Sequence, residues 1–327
     1  MVAGVEMGVT FASLMSLGPA VAPQIAARTH DLGYTSFWTA ETTGPEAFSV
    51  LAAAGAAAPG IGLGTGVVAL QLRTPMVVAM AGATLQALHP EADILLGVGI
   101  SSPVVVGKWH GAQYGDRPVA QTREFVTLVK ECLTGESVTF KGDFYECSRF
   151  RLAVRLGDKR PKVIVGALNP AMLRMAGEVA DGVLLNYLPA SHVPWSVKRI
   201  REGGDARVYA YVHVGVCERE DGIEAARRDL WSYAVVDSYA RNFERAGFGD
   251  DVSAIRERQA AGDREGAIAA VSDAFVDAID IMGDEKQVRA AVQAYVDAGV
   301  EVPVIMPMPW GPDRRAVADA TIAAAIS

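Results

Sequence analysis

Eight short runs rich in Val, Ile, Leu and Gly recur along the chain, most of them followed by a stretch that reads as a helix. They lie at residues 5–11, 35–41, from 61 onward, 93–100, 162–168, 182–188, 208–217 and 302–308. A run that is apolar throughout is buried on both faces, and a helix between successive runs is the crossover that parallel strands require. Gly44-Pro45, Thr74-Pro75 and Asn169-Pro170 place proline where a helix begins, a position at which its missing N–H costs nothing. Another helix is expected from Pro19 to about residue 32. Eight such units predict a (β/α)8 TIM barrel, one domain over residues 1–327 with insertions after strands 4 and 7. The first insertion, 101–160, holds a helix at 118–133 and a hairpin at 137–147 turning on Lys141-Gly142-Asp143. The second, about 222–299, reads as helical, with a break at 260–267 (A-A-G-D-R-E-G-A).

The third run, I-G-L-G-T-G-V-V-A-L from Ile61, carries glycine at Gly62, Gly64 and Gly66. Glycine weakens a strand, so its recurrence at period two marks a close approach to the backbone. The approaching body is either a neighbouring helix or a ligand. Gly64, Gly66 and Ala69 also fit the dinucleotide pattern G-x-G-x-x-A. That pattern needs a helix to open within the glycines, where the chain continues as strand or loop, and an acidic residue about twenty positions on, which is poorly placed here.

A net charge of -8 argues against a nucleic-acid partner, which requires a basic surface. Cys132, Cys147 and Cys217 are odd in number and far apart, which suits neither a disulfide framework nor a zinc site. No basic stretch precedes an apolar core near the N-terminus, so no signal peptide is expected and a cytoplasmic location is. Residues 47–72 are uncharged over a membrane-spanning length, but Gly55, Pro59 and Gly60 interrupt them, so no membrane partner is expected.

In a barrel of this kind the site lies at the C-terminal ends of the strands. Those ends are poor in metal ligands: the five histidines are scattered and no H-x-H occurs, so no metal is expected. Small polar, apolar and glycine residues there suit a flat organic cofactor. Asn169-Pro170 opens a helix whose N-terminal amides face the mouth, either as an ordinary capped start or as a phosphate seat. Glu41 ends the second run, as an acid–base group or as a structural ion-pair partner. His110, in K-W-H-G, is either a surface histidine or a proton donor, and Arg73 either a loop contact or a hand for an anion.

Several longer stretches resemble the luciferase-like monooxygenase superfamily, in its actinobacterial branch of oxidoreductases that use the deazaflavin coenzyme F420. They are F-W-T-A-E-T-T-G-P-E-A-F from Phe37, G-L-G-T-G-V from Gly62, and L-L-G-V-G-I-S-S-P-V-V-V-G-K-W-H-G from Leu95. R-P-V-A-Q-T-R-E-F-V from Arg117 and N-P-A-M-L-R-M-A-G-E-V-A-D-G-V-L-L-N from Asn169 complete the set, which covers almost the whole chain. The resemblance implies hydride transfer between the deazaflavin C5 and a small organic substrate, with FMN-dependent monooxygenation as the alternative cofactor chemistry. A flavin-binding barrel without turnover is a second alternative. It implies a bulge with a non-prolyl cis peptide at Gly66–Val67 behind the ring, and Glu41 near the ring. It also implies ring or phosphate contacts from Thr10, Ile100, Ser101, Ser102, Gly166, Ala167, Leu168, Asn169 and Asn186, with His110 as a further catalytic candidate. A homodimer is expected. Thr42 stands where the family often has histidine, and Ser102 where its sugar-phosphate dehydrogenases have glutamate, so the proton donor is left open.

Overall fold

In the computed structural model, which describes residues 4–327, the expected strands close into a parallel barrel. They are β1 (Gly8–Thr10), β2 (Ser36–Thr39), β3 (Gly62–Thr65), β4 (Ile94–Gly99), β5 (Lys162–Gly166), β6 (Gly182–Leu185), β7 (Arg207–Val216) and β8 (Val302–Pro307). Gly8 of β1 stands opposite both Ser36 of β2 and Val304 of β8, and this closes the ring. Helices α1 (Ala22–Asp31), α2 (Ala47–Ala57), α3 (Pro75–Leu88), α4 (Pro118–Cys132), α5 (Pro170–Val179) and α6 (Val193–Arg201) surround it. The chain is therefore a TIM barrel, and the insertions follow β4 and β7 as expected.

Two helix starts differ from expectation. Residues 12–17 and 19–21 form tight 3-10 turns, so α1 begins at Ala22 and not at Pro19. Pro45 lies outside α2, because the Glu46 carboxylate caps that helix by accepting from the amides of Phe48 and Ser49. At Thr74 the threonine side chain accepts from the Val77 amide and Pro75 follows, as its sequence signal implies.

The barrel interior accounts for the glycines. Trp38, Tyr209 and Tyr211 fill the lumen together with Leu95, Ile164, Leu184 and Val304. A β-carbon on Gly64 would overlap the Trp38 indole, and one on Gly66 would overlap the Tyr211 hydroxyl. The body that approaches β3 at these two positions is thus neither a helix nor a ligand but the barrel's own aromatic rings. Large residues on some strands face glycine on others, which is how a narrow lumen reaches interior packing density.

The second insertion holds α7 (Arg219–Ala234), α8 (Asp237–Phe243), α9 (Gly249–Ala260), α10 (Arg264–Ala269) and α11 (Asp273–Ile279). α9 ends ahead of Gly262, which takes the left-handed conformation, and Asp263 caps α10, so the expected break is present. These helices pack around Leu230, Phe243 and Phe275 and reach down to Tyr187, Met308 and Trp310 of the barrel rim. One element was not expected: residues Asp280–Gly283 form a short strand rather than helix. It pairs with the outer half of β7, His213 opposite Asp280, on the edge that β6 leaves after Ala210. The barrel then resumes through α12 (Glu285–Asp297), β8 and α13 (Arg314–Ile326).

This packing predicts that Gly64→Ala costs about 1–3 kcal/mol, because Trp38 has no free volume into which to retreat. Chemical denaturation reads that loss as a lower midpoint. An unchanged midpoint would mean that the lumen is looser than its geometry shows.

Candidate active site

The mouth is organised by the end of β3. Gly64 stands opposite Leu95 and Val68 opposite Val98, so β3 carries one more residue than β4 across that interval. The extra residue is a β-bulge, a device that re-aims a side chain at a barrel rim. The Gly66–Val67 peptide within it is cis, as the resemblance implied. The Tyr211 hydroxyl donates to the Gly66 carbonyl at 2.8 Å, and the Gly66 amide donates to the Thr39 carbonyl at 2.7 Å. Val67 then leans over Gly99 and Gly166, where β-carbons would crowd its methyl groups. Its partly exposed side chain is an apolar seat at the centre of the mouth.

One corner of the rim is ionic. Arg73 Nη2 lies 2.8 Å from Glu41 Oε2 and 2.7 Å from Glu46 Oε1, and its guanidinium lies over the Phe48 ring. Glu41 Oε2 also accepts from the Ala47 amide at 3.1 Å, so that oxygen is committed to holding β2 against the start of α2. His110 reaches across from the β4 loop, its Nε2 2.6 Å from the Thr42 carbonyl, and remains exposed. In the same loop Ser101 has φ 53°, and Gln71 donates to the carbonyls of Ile100 and Tyr114, tying the loop to β3.

At α5, Asn169 occupies the cap position but its side chain makes no cap. It donates to the Ser238 carbonyl at 3.2 Å and accepts from Arg245 at 2.5 Å, both from the second insertion. The expectation that Asn169 caps its own helix is therefore corrected, and the first amides of α5 are left without a side-chain acceptor. Arg245 also lies over the Trp195 ring, and its buried Nε has no hydrogen-bond partner among the described residues. Burial and then the neighbouring Arg241 hold its guanidinium below the ordinary range. Arg245, bonded to Asn169 at an uncapped helix start and under the field of a second cation, Arg241, favours an anion there.

Opposite β3, the rim carries titratable groups. Tyr187, with φ 50°, donates to Asp229 at 2.7 Å, and its ring lies 3.9 Å from that of Tyr233 and 4.6 Å from that of His213. Burial, and then the nearby Asp280, push the Asp229 carboxyl up to about 6. Burial pushes Tyr233 up to about 12 and Tyr187 well above its usual range, so both phenols are neutral.

The structure gathers Val67, Ile100, Ser101, Ser102, Gly166, Leu168, Asn169 and Asn186 at the mouth with partial exposure. Thr10 is instead fully buried, donating to Tyr211 at 3.3 Å, and Ala167 is buried in the outer core. Neither side chain presents itself to a ligand in this arrangement. Sequence reading missed Arg241, Arg245, Asp229, Tyr211, His213 and Asp280. The alternation of Tyr209, Tyr211 and His213 along one strand face was a signal for the lumen residues. Nothing local signalled the insertion residues.

A parallel barrel with a bulged third strand and a helical insertion after β7 packed on its rim defines a class of TIM-barrel proteins. Residues 10–301 match the luciferase-like monooxygenase family, and the chain belongs to it. It is 26% identical to a protein named as a coenzyme F420-dependent oxidoreductase of Mycobacterium tuberculosis, over 93% of this chain and 96% of that one. It is 28% identical to the 5,10-methylenetetrahydromethanopterin reductase of Archaeoglobus fulgidus, over 78% of this chain and 79% of the relative. Its fold superposes on the coenzyme F420-dependent tetrahydromethanopterin reductase of Methanopyrus kandleri with a TM-score of 0.81 at 24% identity, covering 99% of this chain and 98% of that one.

The raised Asp229 carboxyl has a stability consequence. Between its ordinary value and about 6 the folded state binds the extra proton, so its contribution falls as pH rises through that window and is constant above it. Asp229→Asn is therefore expected to stabilise the fold at pH 7 by on the order of 2 kcal/mol and to leave it unchanged near pH 4. Thermal melts at the two pH values check this. An equal gain at both would dissociate the effect from the carboxyl's charge.

Proposed function

We propose that the protein is an F420-dependent oxidoreductase that moves a hydride between the deazaflavin C5 and a small, largely apolar organic substrate. The observation that carries the reading is the pairing of two seats across one mouth. Val67 on its bulge offers an apolar back wall for a flat ring, and the uncapped α5 start beside Arg241 and Arg245 offers an anion seat. The unpartnered, buried Nε of Arg245 fits a phosphate-bearing group. The names of the relatives that match over most of the chain point to the same coenzyme.

With F420 bound, the coenzyme supplies the hydride chemistry, and the chain supplies orientation and exclusion of water. Val67 would support the ring, Ile100, Ser101 and Ser102 would flank it, and Gly166, Leu168 and Asn169 would hold the phosphate region. Glu41 keeps one oxygen on Arg73 and Ala47, leaving Oε1 for a proton at the reacting centre. His110 has Nδ1 for the same task, with its Nε2 on the Thr42 carbonyl. Cytoplasmic location and a homodimer belong to the same reading, and the outer face of α3 offers partly exposed Val77 and Met80 for a second copy.

Titration with F420 and FMN side by side tests the reading. F420 is expected to bind at least tenfold more tightly. Equal or tighter FMN binding with oxygen uptake would move the protein to monooxygenation. F420 binding without bleaching of the reduced coenzyme by any member of a carbonyl panel would favour a binding barrel without turnover. Glu41→Gln is expected to lower turnover by roughly 10²-fold while coenzyme affinity changes little. Full activity with a lower melting temperature would leave the carboxylate a purely structural role.

A further inference from the structure

His213 and Asp280 have no part in the chemistry above, yet they form a buried ionic chain that ends at the mouth. His213 Nδ1 lies 2.9 Å from Asp280 Oδ1, and His213 Nε2 lies 2.9 Å from Asn186 Oδ1. Both side chains are about 1% exposed or less. The Tyr187 amide donates to the same Asn186 oxygen at 2.9 Å. A backbone N–H can only donate, so it is the oxygen of Asn186, not the nitrogen, that faces Tyr187 and His213. The imidazole therefore donates at Nε2, and facing a carboxylate it donates at Nδ1 as well. The left-handed conformation of Tyr187, uncommon for a bulky residue, is what turns its amide onto Asn186.

Such a pair is an expensive way to fill space. Burying two charges carries a large desolvation penalty before their attraction is counted, and Asp280 Oδ2 has no hydrogen-bond partner among the described residues. The charged and titratable neighbours are Asp229 from α7, Tyr187 at the end of β6 and Tyr295 from α12. None of them competes for either ring nitrogen. What the chain does accomplish is to fix one amide. Asn186 is partly exposed at the tip of β6, and its Nδ2 has no partner among the described residues.

We propose that Asp280 and His213 are positioning residues that lock the Asn186 amide so that its N–H2 group donates into the mouth, to an acceptor oxygen of the bound coenzyme ring or of the substrate. The proposal rests on the oxidoreductase reading for the identity of the ligand, but not for the orientation of the amide. Removing the carboxylate should loosen the chain. In Asp280→Asn the ring keeps a single N–H, and if that stays on Nδ1 the Nε2 lone pair meets the Asn186 oxygen. The amide then loses its bond from His213 and is held by the Tyr187 N–H alone.

Nitrogen-15 NMR of the ligand-free protein tests the orientation directly. Both ring nitrogens of His213 are expected to be protonated in the wild type, and Asp280→Asn is expected to remove one proton and shift the Asn186 side-chain amide signal. A neutral ring in the wild type would overturn the proposal, whether or not any variant folds. With ligand, Asp280→Asn and Asn186→Ala are each expected to weaken binding or turnover about tenfold, a typical loss for one buried hydrogen bond. The double variant is expected to be no worse than Asn186→Ala alone. Losses that add would overturn action through Asn186, since a merely structural pair gives additive effects. A change in the Kd of oxidised F420 places the acceptor on the coenzyme, and a change in kcat or KM alone places it on the substrate. If wild-type protein binds no F420, the coenzyme reading falls and the two ligand-free signals still decide the dyad.

Discussion

The hydrogen bond from the Tyr211 hydroxyl to the Gly66 carbonyl is where the packed lumen meets the open mouth. Below it the barrel is filled by Trp38, Tyr209 and Tyr211, and above it Val67 stands free. The bulge leaves β3 out of register with β4 at this level, so its carbonyl lacks the ladder partner that a regular strand would provide. A buried carbonyl without a donor carries a penalty of about 1–3 kcal/mol, and Tyr211 removes it from across the lumen. The phenol can reach only because residue 66 has no side chain. Gly66 and Tyr211 are thus one device, and exchanging either alone leaves the other without its fit.

The same logic extends outward. Val67 crowds Gly99 and Gly166, so two strands contribute absent side chains to seat one valine. Glycine usually weakens a strand, and here that weakness is offset by the parallel ladder on either side and by the helices that cover it. A rim built in this way is apolar, shallow and stiff, which suits a flat ring better than a flexible chain. The charged groups are displaced to the edges: Glu41 and Arg73 on one side, Arg241 and Arg245 on the other. The mouth thereby has an apolar centre with charged groups at its edges.

Much of this was legible in the sequence, and the remainder was hidden for physical reasons. Parallel strands advertise themselves as apolar runs, because both of their faces are buried, and proline marks helix starts, so the barrel and its order could be read. The glycines of β3 announced a close approach but not what approached, since Trp38 and Tyr211 come from strands distant in the chain. Asp280–Gly283 read as helix because a four-residue strand has no period to detect, and only the edge of β7 makes it a strand. Asn169 looked like a cap because local propensity favours one there, and two insertion residues out-competed its own helix for the side chain. The roles of Arg245 and Asp229 depend wholly on how the insertion folds back, and no local pattern encodes that.

The insertion after β7 thus supplies what the barrel lacks. A TIM barrel presents strand tips and short loops, and in this chain the strands end on uncharged residues, among them Thr39, Gly99, Gly166 and Val216. Such a surface can hold a ring but cannot by itself hold an anion or orient a polar group. The insertion brings Arg245 to Asn169 at the α5 start, and Asp229 and Tyr233 to Tyr187. Its returning strand delivers Asp280 onto His213, beside the tip of β6. That placement depends on β7 being long enough to pair with β6 along its first half and with the returning strand along its second. The ten residues of β7 are therefore more than a barrel stave. Their outer half is the edge on which the insertion is registered, and a one-residue slip there would turn Asp280 to the opposite face and leave His213 unpaired.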